Sequence, residues 1–241
     1  MKIALAQCKS IPGDVAANTV SHLRLIDTAV ALGAEAIFFP ELSLTAYEPT
    51  LAAGLVCSGN DPRLQPFADK AVAERLWIGV GVPCQEAEGV SIGMQIFQPS
   101  GQSLINAKAY LHADEEPFFC SGQHLGHVPM QGLEVALAIC YEISVDEHLH
   151  QSVTKDTDLY IAAVAKHHKG MQDAGQRLSS IASKYQIPAM IVNAIGPADG
   201  MQCAGQSAVW DANGNLMGQL PPDEEGILIY DTQTGSVLLD E

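Results

Sequence analysis

Short apolar runs that are typical of buried strands alternate with longer amphipathic segments along most of the 241-residue sequence. Helix-separated strands predict parallel pairing, while turn residues at 99–101 and 213–215 predict two antiparallel hairpins. We therefore expect an α/β fold with one or two mixed sheets, and a single domain over residues 1–241, because no long polar linker interrupts the chain. The predicted elements are strand 2–8, helix 15–32, strand 36–39, helix 61–75, strands 77–82, 92–98, 103–108, 135–139 and 159–164, helix 172–185, and strands 189–193, 206–210, 216–220 and 226–230.

The balance of acidic and basic residues disfavours two classes of binding partner. Twelve Lys and Arg against 28 Asp and Glu give a formal net charge of −16, which disfavours nucleic acid and anionic membrane surfaces. Only 17% of the residues are charged and 47% are apolar, so we expect a layered core or a buried subunit interface. The first ten residues lack the apolar core of a signal peptide, and no 18-residue apolar run follows, so we expect a cytoplasmic protein.

The cysteines form neither a disulfide framework nor a zinc motif, since none is paired as CxxC. Cys140 stands apart because it ends the apolar run 135–139. A nucleophile at such a strand exit is rigidly held and open to a substrate, and the N–H of Tyr141 can face a developing oxyanion. A buried structural cysteine is the alternative interpretation.

Two charged residues also follow apolar strands. Glu41 comes just after Phe38, Phe39 and Pro40, and Lys108 ends the hairpin strand 103–108. A charge at such a position needs a partner or a catalytic task. A simple salt bridge with acidic neighbours is the alternative for Lys108.

In this order and context, Glu41, Lys108 and Cys140 resemble the Glu-Lys-Cys triad of the nitrilase superfamily, the carbon-nitrogen hydrolases. The resemblance spans nearly the whole chain and rests on segments 1–7, 39–47, 108–122, 139–143, 158–164, 193–196, 205–209 and 225–230. It implies a four-layer α-β-β-α sandwich with two mixed sheets. It also implies a homodimer, and a reaction that needs no metal and no organic cofactor.

The resemblance further implies how each residue acts. Glu41 is the general base, Cys140 attacks a small amide to form a thioester, and Lys108 stabilises the oxyanion. A second glutamate follows the lysine in many members, and the spacing to Phe118, Phe119 and Gly122 favours Glu115 over Glu116 as its equivalent.

The sequence departs from the family pattern at two places. Glu142 stands two residues after the cysteine, where many members have aspartate. After strand 159–164 the chain continues Ala165-Lys166-His167-His168-Lys169, whereas many members have a Pro-Ser or Asn-Trp segment. The lysines could receive an anionic substrate group or could be solvated loop charges. The substrate-binding candidates are Tyr47, Phe119, Tyr141, Ala165, Lys166 and His167, with core packing as the alternative for Phe119.

The three strand-end residues and the family resemblance together predict a hydrolase of non-peptide C–N bonds in small amides, releasing ammonia or an amine. Nitrile hydrolysis by the same triad is one alternative, and a non-catalytic binding or scaffold protein is another. A redox protein is a third, with Cys120 as the nearest resolving cysteine in sequence. The identity of the acyl group depends on the shape of the pocket, which spacing does not reveal.

Overall fold

Two mixed β-sheets form the centre of the molecule in a computed structural model that describes residues 1–58 and 61–240. The strands are β1 (Lys2–Gln7), β2 (Ala36–Phe38), β3 (Trp77–Gln85), β4 (Val90–Phe97), β5 (Ser103–Ala107), β6 (His127–Met130), β7 (Leu133–Ile139), β8 (Leu159–Val164), β9 (Ala189–Asn193), β10 (Ile195–Ala198), β11 (Met201–Ala204), β12 (Ala208–Trp210), β13 (Leu216–Gln219), β14 (Gly226–Asp231) and β15 (Val237–Asp240). The helices are α1 (Val15–Ala31), α2 (Pro49–Ala52), α3 (Gln65–Glu74), α4 (Asp146–Ser152) and α5 (His168–Tyr185), with 3₁₀ turns at Pro62–Leu64 and Cys140–Ser144.

The larger sheet has the strand order β15-β14-β1-β2-β3-β4-β5, and the smaller has the order β13-β12-β9-β8-β7-β6. Each contains three parallel strands at its centre, β1-β2-β3 in one and β7-β8-β9 in the other, with antiparallel strands on both sides. Strands β10 and β11 form a separate antiparallel ribbon. The two mixed sheets confirm the predicted fold.

Three apolar cores show how the layers stack. Ile3 and Leu5 of β1 face a central core shared with strands of the smaller sheet. Ala4 and Ala6, on the other side of β1, face a core shared with helices α1 and α3. A third core lies between the smaller sheet and helices α4 and α5. Alternation along the strands thus produces the expected α-β-β-α order of layers.

The helix starts follow from capping. Asp14 accepts a hydrogen bond from the N–H of Ala17 at the start of α1. The predicted start at Asp61 is confirmed: its carboxylate accepts the N–H of Arg63, and Pro62 opens a 3₁₀ turn that runs into α3. Among the described residues no helix is both long and apolar enough to cross a membrane.

Several elements differ from the sequence prediction. Helix α5 starts at His168 rather than at 172, because the ring of His167 caps it by accepting the N–H of Gly170. Strand β6, which begins at His127, lies in a range for which no element was predicted. Strands β10, β11 and β15 and helices α2 and α4 were not predicted either, since they are short and carry Gly, Pro or polar residues.

Candidate active site

Glu41 lies in a turn that follows β2 and folds back along β3. The N–H of Phe39 donates to the carbonyl of Gly79, and the N–H of Leu44 donates to that of Gly81. Gly81 is required here because a Cβ at this position would overlap the backbone of the turn. The turn thereby holds the Glu41 side chain in the interior, 2% exposed as a residue.

Lys108 directly follows β5 in the same sheet. Strand β5 is antiparallel to β4, which is antiparallel to β3, so β5 runs in the direction of β2 and β3. The carboxyl ends of β2 and β5 therefore lie at the same edge of the larger sheet, and residues 67 positions apart come together.

A fully buried ammonium joins two buried carboxylates at this edge. Nζ of Lys108 donates to Oε1 of Glu41 at 2.9 Å and to Oε1 of Glu115 at 2.5 Å. Burial lowers the pKa of Lys108, but the neighbouring side chains of Glu41 and Glu115 outweigh this effect and raise it above its ordinary value. The lysine side chain is therefore a permanent cation.

Glu115 is held on both of its oxygens. Oε1 accepts the hydroxyl of Tyr47 at 3.0 Å in addition to the ammonium, and Oε2 accepts the N–H of His112 at 2.8 Å. These contacts fix the Glu115 carboxylate in one orientation, which keeps the Lys108 ammonium in position.

Cys140 directly follows β7 of the smaller sheet and opens the 3₁₀ turn Cys140–Ser144. Its φ of 48° lies in the left-handed region, which is uncommon for a non-glycine residue and is found at sharply turned functional positions. The thiol of Cys140 and the carboxylate of Glu41 lie close enough to perturb each other's pKa. The two sheets thus each contribute one side of the site.

Burial is the largest influence on the pKa values of Cys140 and Glu41. Burial and the charge of Glu41 raise the pKa of the Cys140 thiol to about 11, and Lys166 and Lys108 offset this only in part. Burial also raises the pKa of Glu41, although Lys108 opposes it. Oε2 of Glu41 is buried and accepts no hydrogen bond from the described residues. The resting thiol is neutral, and an unpartnered carboxylate oxygen is available to take its proton.

A cavity of about 230 Å³ opens onto Cys140. Glu115 lines this cavity, and so do five of the six substrate-binding candidates named from the sequence. The five are Tyr47, Tyr141, Ala165, Lys166 and His167. The backbone of Lys166 is fixed by Asn193, whose side-chain amide accepts from its N–H and donates to its carbonyl, both at 2.9 Å.

Phe119, the sixth candidate, lies elsewhere. It is 5% exposed and packs in the central core between the sheets, so the alternative of core packing describes its location. Phe118 is 43% exposed and also lies outside the lining of the cavity.

Sequence reasoning missed five lining residues, which are His112, Asp114, Gly170, Asp199 and Met201. The first two lie in the segment that follows Lys108, where position alone could have suggested them. Asp199 and Met201 lie at the β10–β11 ribbon, which no strand pattern indicated. Among residues 1–58 and 61–240, no group of three or more His, Cys, Asp or Glu side chains is arranged to hold a metal ion.

Two stacked mixed sheets, with a glutamate, a lysine and a cysteine at converging strand ends, define the class of nitrilase-fold proteins. The model of the carbon-nitrogen hydrolase family matches residues 2–238, and the chain belongs to this family, within the nitrilase superfamily.

Curated relatives are distant. A Pseudomonas protegens protein described as a hydrolase in the pqqF 5′ region is 27% identical over 235 residues, which are 95% of this chain and 81% of that protein. An (R)-stereoselective amidase from a Pseudomonas species is 24% identical over 226 residues, covering 93% of this chain and 82% of the amidase.

Among solved structures, an amidase from Nesterenkonia sp. AN1 superposes with a TM-score of 0.87 at 22% identity, covering 96% of this chain and 92% of the amidase. At this identity the likeness shows the fold. One structure of that amidase holds butyramide, and another shows covalent addition of the acetamide moiety of fluoroacetamide at its active-site cysteine.

Proposed function

We propose that the protein hydrolyses small amides through a thioester on Cys140. The observation that carries this proposal is the buried cluster of Glu41, Lys108 and Glu115 beside a cysteine that opens onto a cavity. A cavity of about 230 Å³ is smaller than the roughly 300–1,000 Å³ of typical drug-sized sites, which favours short acyl groups. The butyramide complex of the Nesterenkonia amidase supports the same substrate class.

In the first step the sulfur of Cys140 attacks the amide carbon while the thiol proton passes to Glu41. Since the pKa of the thiol is raised to about 11, this transfer accompanies attack rather than preceding it. The C–S bond forms, and Glu41 returns the proton to the leaving nitrogen. The C–N bond then breaks, which releases ammonia or an amine and leaves the thioester.

The oxyanion of this step receives support from Lys108. An ammonium group has three N–H donors, and two of them are engaged by Glu41 and Glu115, so the third remains for the substrate oxygen. The backbone N–H of Tyr141 is the proposed second donor. Glu115 contributes by holding the ammonium in one orientation.

In the second step Glu41 takes a proton from water, and the hydroxide attacks the thioester carbon. The C–S bond breaks, the proton returns to Cys140, and a carboxylic acid leaves. Every bond change is balanced by these side chains and one water molecule, and neither step calls on a metal or an organic cofactor.

The test measures ammonia release from a panel of short aliphatic amides by the wild-type protein and by Cys140→Ala. We expect the substitution to abolish release, whereas Cys120→Ala, at another partly exposed cysteine, retains it. An acyl adduct seen by intact-mass measurement must map to Cys140. Release by Cys140→Ala at the wild-type rate would refute the thiol mechanism.

Two further measurements test the alternatives of nitrile hydrolysis and of a non-catalytic scaffold. Turnover of matching nitriles in preference to amides would favour nitrile hydrolysis by the same triad. No turnover, with alkylation of Cys140 no faster than that of Cys120, would favour a non-catalytic scaffold. The single domain over residues 1–241, the homodimer and the cytoplasmic setting stay predictions.

A further inference from the structure

Glu142 is a fully buried carboxylate that lies outside the lining of the cavity. It stands two residues after Cys140, and the mechanism proposed above assigns it no role. A buried charge is retained only where partners compensate for its lost hydration, so its contacts need an explanation.

The two oxygens of Glu142 bind two different segments of the site. Oε2 accepts the N–H of Ile139, the residue before Cys140, at 2.8 Å. Oε1 accepts the N–H of Ala109, the residue after Lys108, at 2.7 Å. One carboxylate therefore links the end of β7 in the smaller sheet to the end of β5 in the larger sheet.

A local role accounts for only half of these contacts. Capping the 3₁₀ turn that begins at Cys140 requires only the bond to Ile139, three residues back in the chain. The bond to Ala109 reaches 33 residues back and contributes nothing to that turn. A weaker bond from the N–H of Tyr110 at 3.4 Å adds to this distant side.

We propose that Glu142 is a positioning residue that sets the distance between the Lys108 ammonium and the Cys140 sulfur. The proposal rests on the proposed function, in which ammonium and sulfur act on the same carbonyl group. Each of the two catalytic residues is a direct chain neighbour of an N–H that Glu142 binds, so a shift at either bond moves a reacting group.

The charges around Glu142 suit this role. Burial raises its pKa to about 7, and the N–H donors and Lys108 act in the opposite direction. His148 places Nε2 3.4 Å from Oε2 of Glu142, but burial and His124 lower the pKa of His148 to about 3, so its ring is neutral. The backbone N–H groups are therefore the principal partners of the carboxylate.

This geometry discriminates sharply between substitutions. Glutamine at position 142 has one acceptor oxygen, so its NH₂ group must face the N–H of either Ala109 or Ile139 and one link is lost. Aspartate keeps both acceptors on a side chain one methylene shorter and spans the gap less well. Glu147→Gln is a matched control, because Glu147 is exposed on the neighbouring helix α4.

The experiment compares Glu142→Gln, Glu142→Asp and Glu147→Gln by amide turnover, thermal unfolding, and the rate at which iodoacetamide alkylates Cys140. For folded Glu142→Gln we expect kcat to fall about 100-fold with little change in KM, the scale of a misplacement of roughly 1 Å. Glu142→Asp recovers part of kcat, and Glu147→Gln matches the wild type. Alkylation slows in the same order, because the thiol loses alignment with Glu41.

Wild-type kcat and a wild-type alkylation rate in folded Glu142→Gln would overturn the proposal. If that variant does not fold, full kcat in folded Glu142→Asp would overturn it equally. A wild-type protein that hydrolyses no amide contradicts the proposed function instead, and the order of the alkylation rates still decides whether Glu142 positions the thiol.

Discussion

Replacing Lys108 by methionine tests the electrostatic centre of the site most directly. The side chain is fully buried and its ammonium contacts two carboxylates, at 2.9 Å for Glu41 and 2.5 Å for Glu115. Methionine fills a similar volume but carries no charge, so both carboxylates remain buried without their common partner. The change should therefore destabilise the fold as well as abolish turnover.

The size of the effect follows from the burial. Removing one partner of a buried ion pair costs about 3–5 kcal/mol, because a charge is left uncompensated. For a chain of this length, each kcal/mol moves the melting temperature by about 2–4 °C, so we expect Lys108→Met to melt about 6–20 °C below the wild type. Protonation of the stranded carboxyl groups limits the loss.

The pH dependence gives the decisive measurement. Burial already raises the pKa of Glu41 in the folded state, and in Lys108→Met the ammonium that opposes this rise is gone, so that pKa should rise further above its unfolded value. A group with a raised folded pKa contributes its stability at low pH and loses it as the pH rises through that pKa. The deficit in melting temperature should therefore be smaller at pH 5 than at pH 8.

Two matched variants separate charge from packing. Adding Glu41→Gln and Glu115→Gln to Lys108→Met removes the stranded charges and should recover most of the stability without activity. Lys155→Met removes an exposed lysine and should leave the melting temperature unchanged. An equal deficit for Lys108→Met at pH 5 and pH 8, undiminished in the triple variant, would refute the electrostatic reasoning.

Three further predictions concern side chains around the same cavity. Glu41→Gln should fold and lose formation of the acyl-enzyme, measured by intact mass after rapid mixing, because an amide cannot take the Cys140 proton; acylation at the wild-type rate would exclude Glu41 as the base. Lys166→Gln should lower kcat/KM about fivefold for amides whose acyl chain ends in a carboxylate, the scale of a partly exposed ion pair. Neutral amides of equal length are the control. If the substitution leaves the ratio of kcat/KM for the anionic amides to kcat/KM for the neutral amides unchanged, Lys166 is a solvated charge. Because burial raises the pKa of Glu142 to about 7, part of the free energy of unfolding should be lost as the pH rises from about 5 to 7. Denaturant titrations should show a flatter pH profile for Glu142→Gln, and an identical slope would contradict the raised pKa.

The elements that could be predicted are those whose local sequence pattern favours the same structure that the folded chain adopts. Strands such as β1 and β8 are continuous apolar runs, and helix α1 follows an aspartate cap, so periodicity and capping identify them without tertiary information. The β10–β11 ribbon contains Gly196, Pro197 and Gly200, which favour a loop interpretation. Its strands form because tertiary contacts override these local preferences, and with them come Asp199 and Met201 of the cavity.

The sequence could predict which residue types form the site, but it could not predict the pKa of the Cys140 thiol. Charged or nucleophilic residues at strand exits could be found from the sequence, because strand ends that share an edge bring distant side chains together. A nearby ammonium favours the thiolate, and Lys108 does act to lower the pKa of Cys140, yet burial exceeds this effect and raises that pKa to about 11. Coulomb attraction follows from residue types, whereas desolvation depends on every atom packed around the sulfur. This difference decides the chemistry, because a neutral thiol requires Glu41 as a base during attack, and a preformed thiolate would not.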